Sequence, residues 1–136
     1  MSAISFEFPY RYRESGGKKL SYPEVKVQIQ TFLGRQTYNF IFDSGADITT
    51  LPEYMISLVQ IPKQDLVKSR SFGISSEPVY SLDAVIPVKI GSLKLDLPVT
   101  FVPNKDVPLL LGKEGIFDRF NIILDNDAQK TILQVR

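Results

Sequence analysis

The residues of this sequence best suited to chemistry stand at Asp43, Ser44, Gly45 and Ala46, where the apolar run Phe40, Ile41, Phe42 stops at a carboxylate followed by a hydroxyl, a glycine and an alanine. A carboxylate is a useful acid or base when it is paired. Two carboxylates a few ångströms apart cannot both ionise cheaply, so the pair holds one proton and titrates as a unit. One member then serves as base and the other as acid. The commoner hydrolytic routes are excluded by inventory. Zero Cys removes thiol nucleophiles, disulfides and thiolate metal sites, and zero His removes the usual general base and the commonest zinc ligand. A hydrolase built from these residues must run on carboxylates, hydroxyls, lysines or an oxygen-bound metal. Asp43, Asp47 and Asp125 are the carboxylates such a metal would use, although nothing in the sequence sets a ligand geometry for them.

The elements that must position Asp43 read mainly as strands. Val25, Val27 and Ile29 alternate with Lys26, Gln28 and Gln30, the period of two expected for a half-buried strand. Gly34 and Arg35 mark a hairpin turn, and Tyr38, Phe40 and Phe42 continue the alternation on a second strand that also carries Ile41, which predicts cover on both faces. Pro52 opens a predicted short helix through Ile56 and Val59, which Pro62 ends. Residues 68–81 read as two arms with a turn between them at Gly73, Ser75, Ser76 and Pro78. Residues 84–90 and 93–101 read as strands joined by Gly91 and Ser92. In the apolar run 107–111, Pro108 pushes the paired part to Leu109 and beyond. Residues 115–120 are predicted as a short helix with Ile116, Phe117 and Phe120 on its buried face, followed by strands at 121–125 and 131–135.

A chain of 136 residues holds one ordinary domain. Residues 1–22, with the loose composition Glu14, Ser15, Gly16, Gly17, Lys18, Lys19 near their end, read as an N-terminal arm, and residues 23–136 as the domain. Sixteen basic against 15 acidic residues leave a net charge of +1, which calls for neither a nucleic acid nor a membrane partner. No apolar run approaches the roughly 20 residues needed to cross a bilayer. The N-terminal residues lack the apolar stretch of a secretory signal, so the expected location is cytoplasmic.

In the stretch from Phe40 to Leu51 the sequence resembles the retropepsin family of aspartic peptidases, in which a strand ends in Asp, Ser or Thr, Gly and Ala. A second match follows downstream in the right order. Leu109, Leu110, Leu111, Gly112 and Lys113 resemble the family's apolar pair plus glycine ahead of its C-terminal helix, a segment that threads behind the catalytic loop. The hairpin with Phe72, Gly73, Ile74 and Ser75 falls where the family has its flap, here with one glycine where family tips are glycine-rich.

The resemblance implies a mainly β, small closed barrel-like acid-protease fold with one short C-terminal helix, working as a homodimer. It implies that Asp43 is catalytic, that Ser44 braces the two loops across the dimer, and that Asp47 pairs with Lys113. Only one Asp-Ser-Gly-Ala stretch exists, so a second copy must supply the other carboxylate. The implied reaction is hydrolysis of a polypeptide by a water activated between the two carboxylates, with no metal or organic cofactor. The alternative from another class is a catalytically silent dimerisation or peptide-binding module with the same cleft, a reading to which the glycine-poor flap gives room.

Overall fold

The structure, a computed structural model that describes residues 4–72 and 78–136, consists almost wholly of strands. β1 (Ser5–Pro9) is followed by a two-stranded hairpin of β2 (Arg11–Ser15) and β3 (Lys18–Tyr22), exposed nearly throughout. β4 (Glu24–Thr31) and β5 (Gly34–Phe42) pair antiparallel from Glu24↔Ile41 to Thr31↔Gly34. The alternation expected for β4 holds, with Val25, Val27 and Ile29 fully buried. Their turn is Phe32–Leu33, and Gly34 at φ +102° already belongs to β5, a conformation open to glycine and costly for other residues.

β6 (Thr49–Pro52) and α1 (Met55–Val59) come next, so Pro52 closes a strand and the helix starts later than predicted. α1 stops at Gln60, which takes the left-handed conformation (φ 58°) two residues before Pro62. β7 (Val67–Phe72) pairs with β8 (Pro78–Ile90), and β8 with β9 (Leu93–Val102). β10 (Leu110–Leu111) is only two residues long, and the chain finishes on the antiparallel pair β11 (Phe120–Asp125) and β12 (Lys130–Val135).

Six strands in the order β4-β5-β10-β6-β9-β8 form a barrel, closed where Gln28 and Ile29 of β4 meet Lys89 and Val88 of β8. Closure leaves no free edge within those six strands. The interior is filled by Phe40, Leu51, Ile86, Leu97, Phe101 and Leu111, all 0–1% exposed. Truncating one of these phenylalanines to alanine would cost about 3–5 kcal/mol. A separate three-stranded sheet, β1-β12-β11, packs on the barrel through Phe8, Phe120 and Leu133. Residues 5–9, within the stretch read as an arm, are thus a strand of this sheet.

The predicted C-terminal helix is replaced by successive turns at residues 114–119. Phe117 N–H reaches Lys113 O and Phe120 N–H reaches Ile116 O, each at 2.9 Å, but Gly115 at φ +79° interrupts the right-handed path. With Phe120 drawn into β11, too few residues remain to repay helix nucleation. Ile116 and Phe120 are nonetheless buried, as the expected spacing required, whereas Phe117 is exposed. Among the described residues no helix is long and apolar enough to cross a membrane.

Candidate active site

β5 delivers Asp43. Its last residue, Phe42, is buried, and its N–H donates to Pro23 O at 2.8 Å. Parallel pairing of Leu110 with Ile41 and Leu111 with Phe42 lays β10 along the end of β5. Ile41 N–H donates to Leu109 O at 2.9 Å, and Asp43 N–H to Leu111 O at 3.0 Å. The backbone of Asp43 is therefore tied to a strand far from it in sequence, while Asp43 itself remains half-buried.

Beyond Asp43 the chain folds back on itself. Ala46 N–H donates to Asp43 O at 3.1 Å, and Gly45 N–H donates to Asp43 Oδ1 at 2.9 Å. This second bond, from a backbone two residues on to an aspartate side chain, fixes the carboxylate's direction and leaves Ser44 and Gly45 exposed. A Cβ at Gly45 would stand 3.2 Å from the same Oδ1, tight enough to push the carboxylate or the turn aside. Among the described residues no cation forms an ion pair with Asp43.

Residues 112–114 run beside the loop and take up its polar groups. Lys113 N–H donates to Ala46 O at 3.0 Å and Glu114 N–H to Asp47 O at 2.8 Å. Gly112 N–H donates to Thr49 Oγ1 at 3.0 Å in a buried contact. Gly112 lies so close to the loop that a Cβ there would come within 2.5 Å of Ile48 C and 2.7 Å of Ile48 O. Both are backbone atoms, which cannot rotate away, so only glycine fits. Lys113 Nζ meets Asp47 Oδ1 at 3.0 Å, with the Asp47 side chain 83% exposed. Such a solvated pair contributes at most about 1 kcal/mol, so backbone bonds, not this ion pair, hold the loop.

The structure therefore brings Asp43, Ala46, Asp47, Leu110, Leu111, Gly112 and Lys113 together, with Ser44 and Gly45 on the exposed side of the same loop. Thr49 was not singled out from sequence, because Thr49 and Thr50 stand side by side between Ile48 and Leu51 and nothing local tells which hydroxyl is buried. Phe117 was expected to be buried; instead its ring lies 6.2 Å from that of Phe42, just behind Asp43. Asp125 stands apart, opposite Lys130 at the end of β11. Among the described residues no three of His, Cys, Asp and Glu converge as a metal site would need.

Of the expected flap, Gly73, Ile74 and Ser75 lie outside the described residues, and Phe72 closes β7 opposite Pro78. The two arms are joined by Ser69 Oγ and Ser81 Oγ at 2.8 Å and by Lys68 Nζ 4.5 Å above the Tyr80 ring. Beside them is an open cavity of about 290 Å³, lined by Lys68, Tyr80, Leu82 and Phe101 among others.

The aspartyl protease family model matches residues 25–114, which run from the first buried apolar residue of β4 to the segment bracing the loop. No curated protein sequence matches the chain. Among solved structures, a retropepsin-like aspartic protease from Rickettsia conorii is similar over 98% of this chain and 94% of its own, with a TM-score of 0.66 at 15% identity. At that identity the likeness is one of fold.

Proposed function

This chain belongs to the aspartyl protease family and has a retropepsin-like fold, and on that premise we propose that it is an aspartic endopeptidase whose active site forms between two copies. Asp43 of each copy supplies one carboxylate of the dyad. The observation that carries this reading is the state of Asp43: its backbone N–H is bonded to Leu111 O, its carboxylate is directed by Gly45 N–H, it is half-buried, and among the described residues no cation pairs with it.

The pair shares one proton. The ionised member accepts a proton from a water lying between the two, and the water oxygen bonds to the scissile carbonyl carbon. The protonated member gives its proton to the carbonyl oxygen as negative charge develops there. Collapse of the tetrahedral intermediate breaks the C–N bond, and the amine leaves with a proton from the dyad. As the new carboxyl group forms, a hydroxyl of the intermediate returns its proton to the other carboxylate, and the dyad again holds one proton. Ser44, exposed beside Asp43, bridges the two loops at the two-fold axis. The arms of β7 and β8 flank a substrate that lies extended and bonds through its main chain.

Sedimentation of the purified chain, paired with cleavage of a random peptide library at several pH values, tests this reading in wild type and Asp43→Asn. The expected result is a dimer that cuts peptides best at acidic to mildly acidic pH, with cutting lost in the variant while the dimer persists. A stable dimer that cuts nothing at any pH would make the chain a silent binding module. A monomer that cuts would overturn the shared dyad.

A further inference from the structure

The outer face of the barrel along the β4–β8 seam carries an open cavity of about 510 Å³ that the peptidase reading does not use. Three strands and the turn before β11 bring cations to it: Arg35 from β5, Lys89 from β8, Lys94 from β9 and Arg119. Gln28 and Gln30 of β4 add amide groups, and Asp96 is the one carboxylate in the lining. The whole chain carries a net charge of only +1, so this gathering is local.

Two features set it apart from an ordinary solvated face. Lys89 and Lys94 are direct cross-strand partners in the β8–β9 hairpin, so two like charges occupy neighbouring positions on one face. That arrangement destabilises a sheet unless something offsets it. Furthermore, none of the four cations has an ion-pair partner among the described residues, Asp96 included. Among the described residues no ion pair offsets the repulsion.

We propose that this cavity binds a small multivalent oxyanion of the phosphate class. Arg35 and Arg119 offer planar guanidinium forks that match pairs of phosphate oxygens, Lys89 and Lys94 act as point charges, and the Gln28 and Gln30 amides can donate as well. No aromatic ring lines the cavity, so there is no platform on which a nucleobase would stack. A polyphosphate fits this lining better than a nucleotide or a single-stranded nucleic acid.

Asp43 is not among the residues lining this cavity, and the test does not require activity. Inorganic tripolyphosphate is titrated calorimetrically into the wild-type chain at fixed ionic strength, with a single-stranded oligonucleotide as a second ligand. One saturable site per chain is expected, weakened about tenfold or more in Lys89→Gln/Lys94→Gln. The unliganded double variant is expected to melt no lower than wild type, because it loses the opposed charges. Lys18→Gln/Lys19→Gln, which removes the same charge from the β2–β3 hairpin, should leave binding unchanged. Equal binding by wild type and the Lys89/Lys94 variant, or equal weakening by the Lys18/Lys19 variant, would overturn the site. Tighter binding of the oligonucleotide than of tripolyphosphate would overturn the choice of ligand.

Discussion

Gly112 donates its backbone N–H to Thr49 Oγ1 at 3.0 Å, and the bond is buried although 63 residues separate the partners. It joins the segment behind the Asp43 loop to the first residue of β6, and Thr49 has no exposed surface. Replacing Thr49 by the near-isosteric valine leaves the Gly112 N–H buried without an acceptor. A loss of about 1–3 kcal/mol in urea unfolding is expected. Thr49→Ser should recover most of it, since the hydroxyl rather than the methyl makes the bond.

Gly112→Ala should be harsher than any other single-atom addition to the loop. The new Cβ meets the Ile48 backbone from 2.5 Å, so either β10 or the Asp43 loop must move. We expect a loss of about 3 kcal/mol, at the upper end for overpacking, and a fall in peptide cleavage larger than the fall in folded fraction. Denaturant titration and cleavage rate measured on the same sample separate the two.

Lys113→Met removes the ion pair with Asp47 and little else. With Asp47 mostly in solvent, the change in unfolding free energy should stay within about 1 kcal/mol, and half-molar salt should leave the wild-type loop intact. A larger loss would mean that the ion pair, not the backbone contacts of residues 112–114, secures the loop.

Tyr10 gives the fold an alkaline limit. Its ring is buried, its hydroxyl donates to Asn126 Oδ1 at 3.0 Å, and burial followed by the Asp125 carboxylate raises its pKa above the ordinary 10.0. Tyr38 is raised as well, by burial and then by Tyr54. A raised pKa means that the folded chain holds its proton more tightly than the unfolded chain. The resulting stabilisation is complete below pH 10.0 and is lost as pH rises through the folded value. Unfolding free energy should therefore decline above that pH, and Tyr10→Phe should decline less steeply.

What the sequence revealed depended on whether a signal was local. The alternation at Val25, Val27 and Ile29 places β4 correctly, and the run from Phe40 into Asp43 marks the end of β5 because an apolar strand stopped by Asp-Ser-Gly-Ala is unusual in itself. β6 went unread because Thr49–Pro52 is four residues long and exists through its neighbours on β9 and β10. β1 was hidden by the polar, glycine-containing stretch after it, although Phe6 and Phe8 already alternate. The spacing of Ile116 and Phe120 correctly signalled burial but not helix, since turns interrupted by Gly115 bury the same two residues. Barrel closure rests on two residue pairs between β4 and β8, which no local pattern announces.

The pairing of β1 with β12, from Ser5↔Gln134 to Pro9↔Lys130, has a consequence for how the molecule is made. β1 leaves the ribosome long before β12 and must wait for it to find this partner, and Phe8 cannot be covered by that sheet until then. Contacts so distant in sequence slow folding and prolong the exposure of unpaired strands. A nascent chain stalled before residue 130 would hold most of its barrel strands and the whole Asp43 loop, yet lack the sheet that covers Phe8. Chaperone dependence should accordingly be greatest late in synthesis and fall once β12 is released.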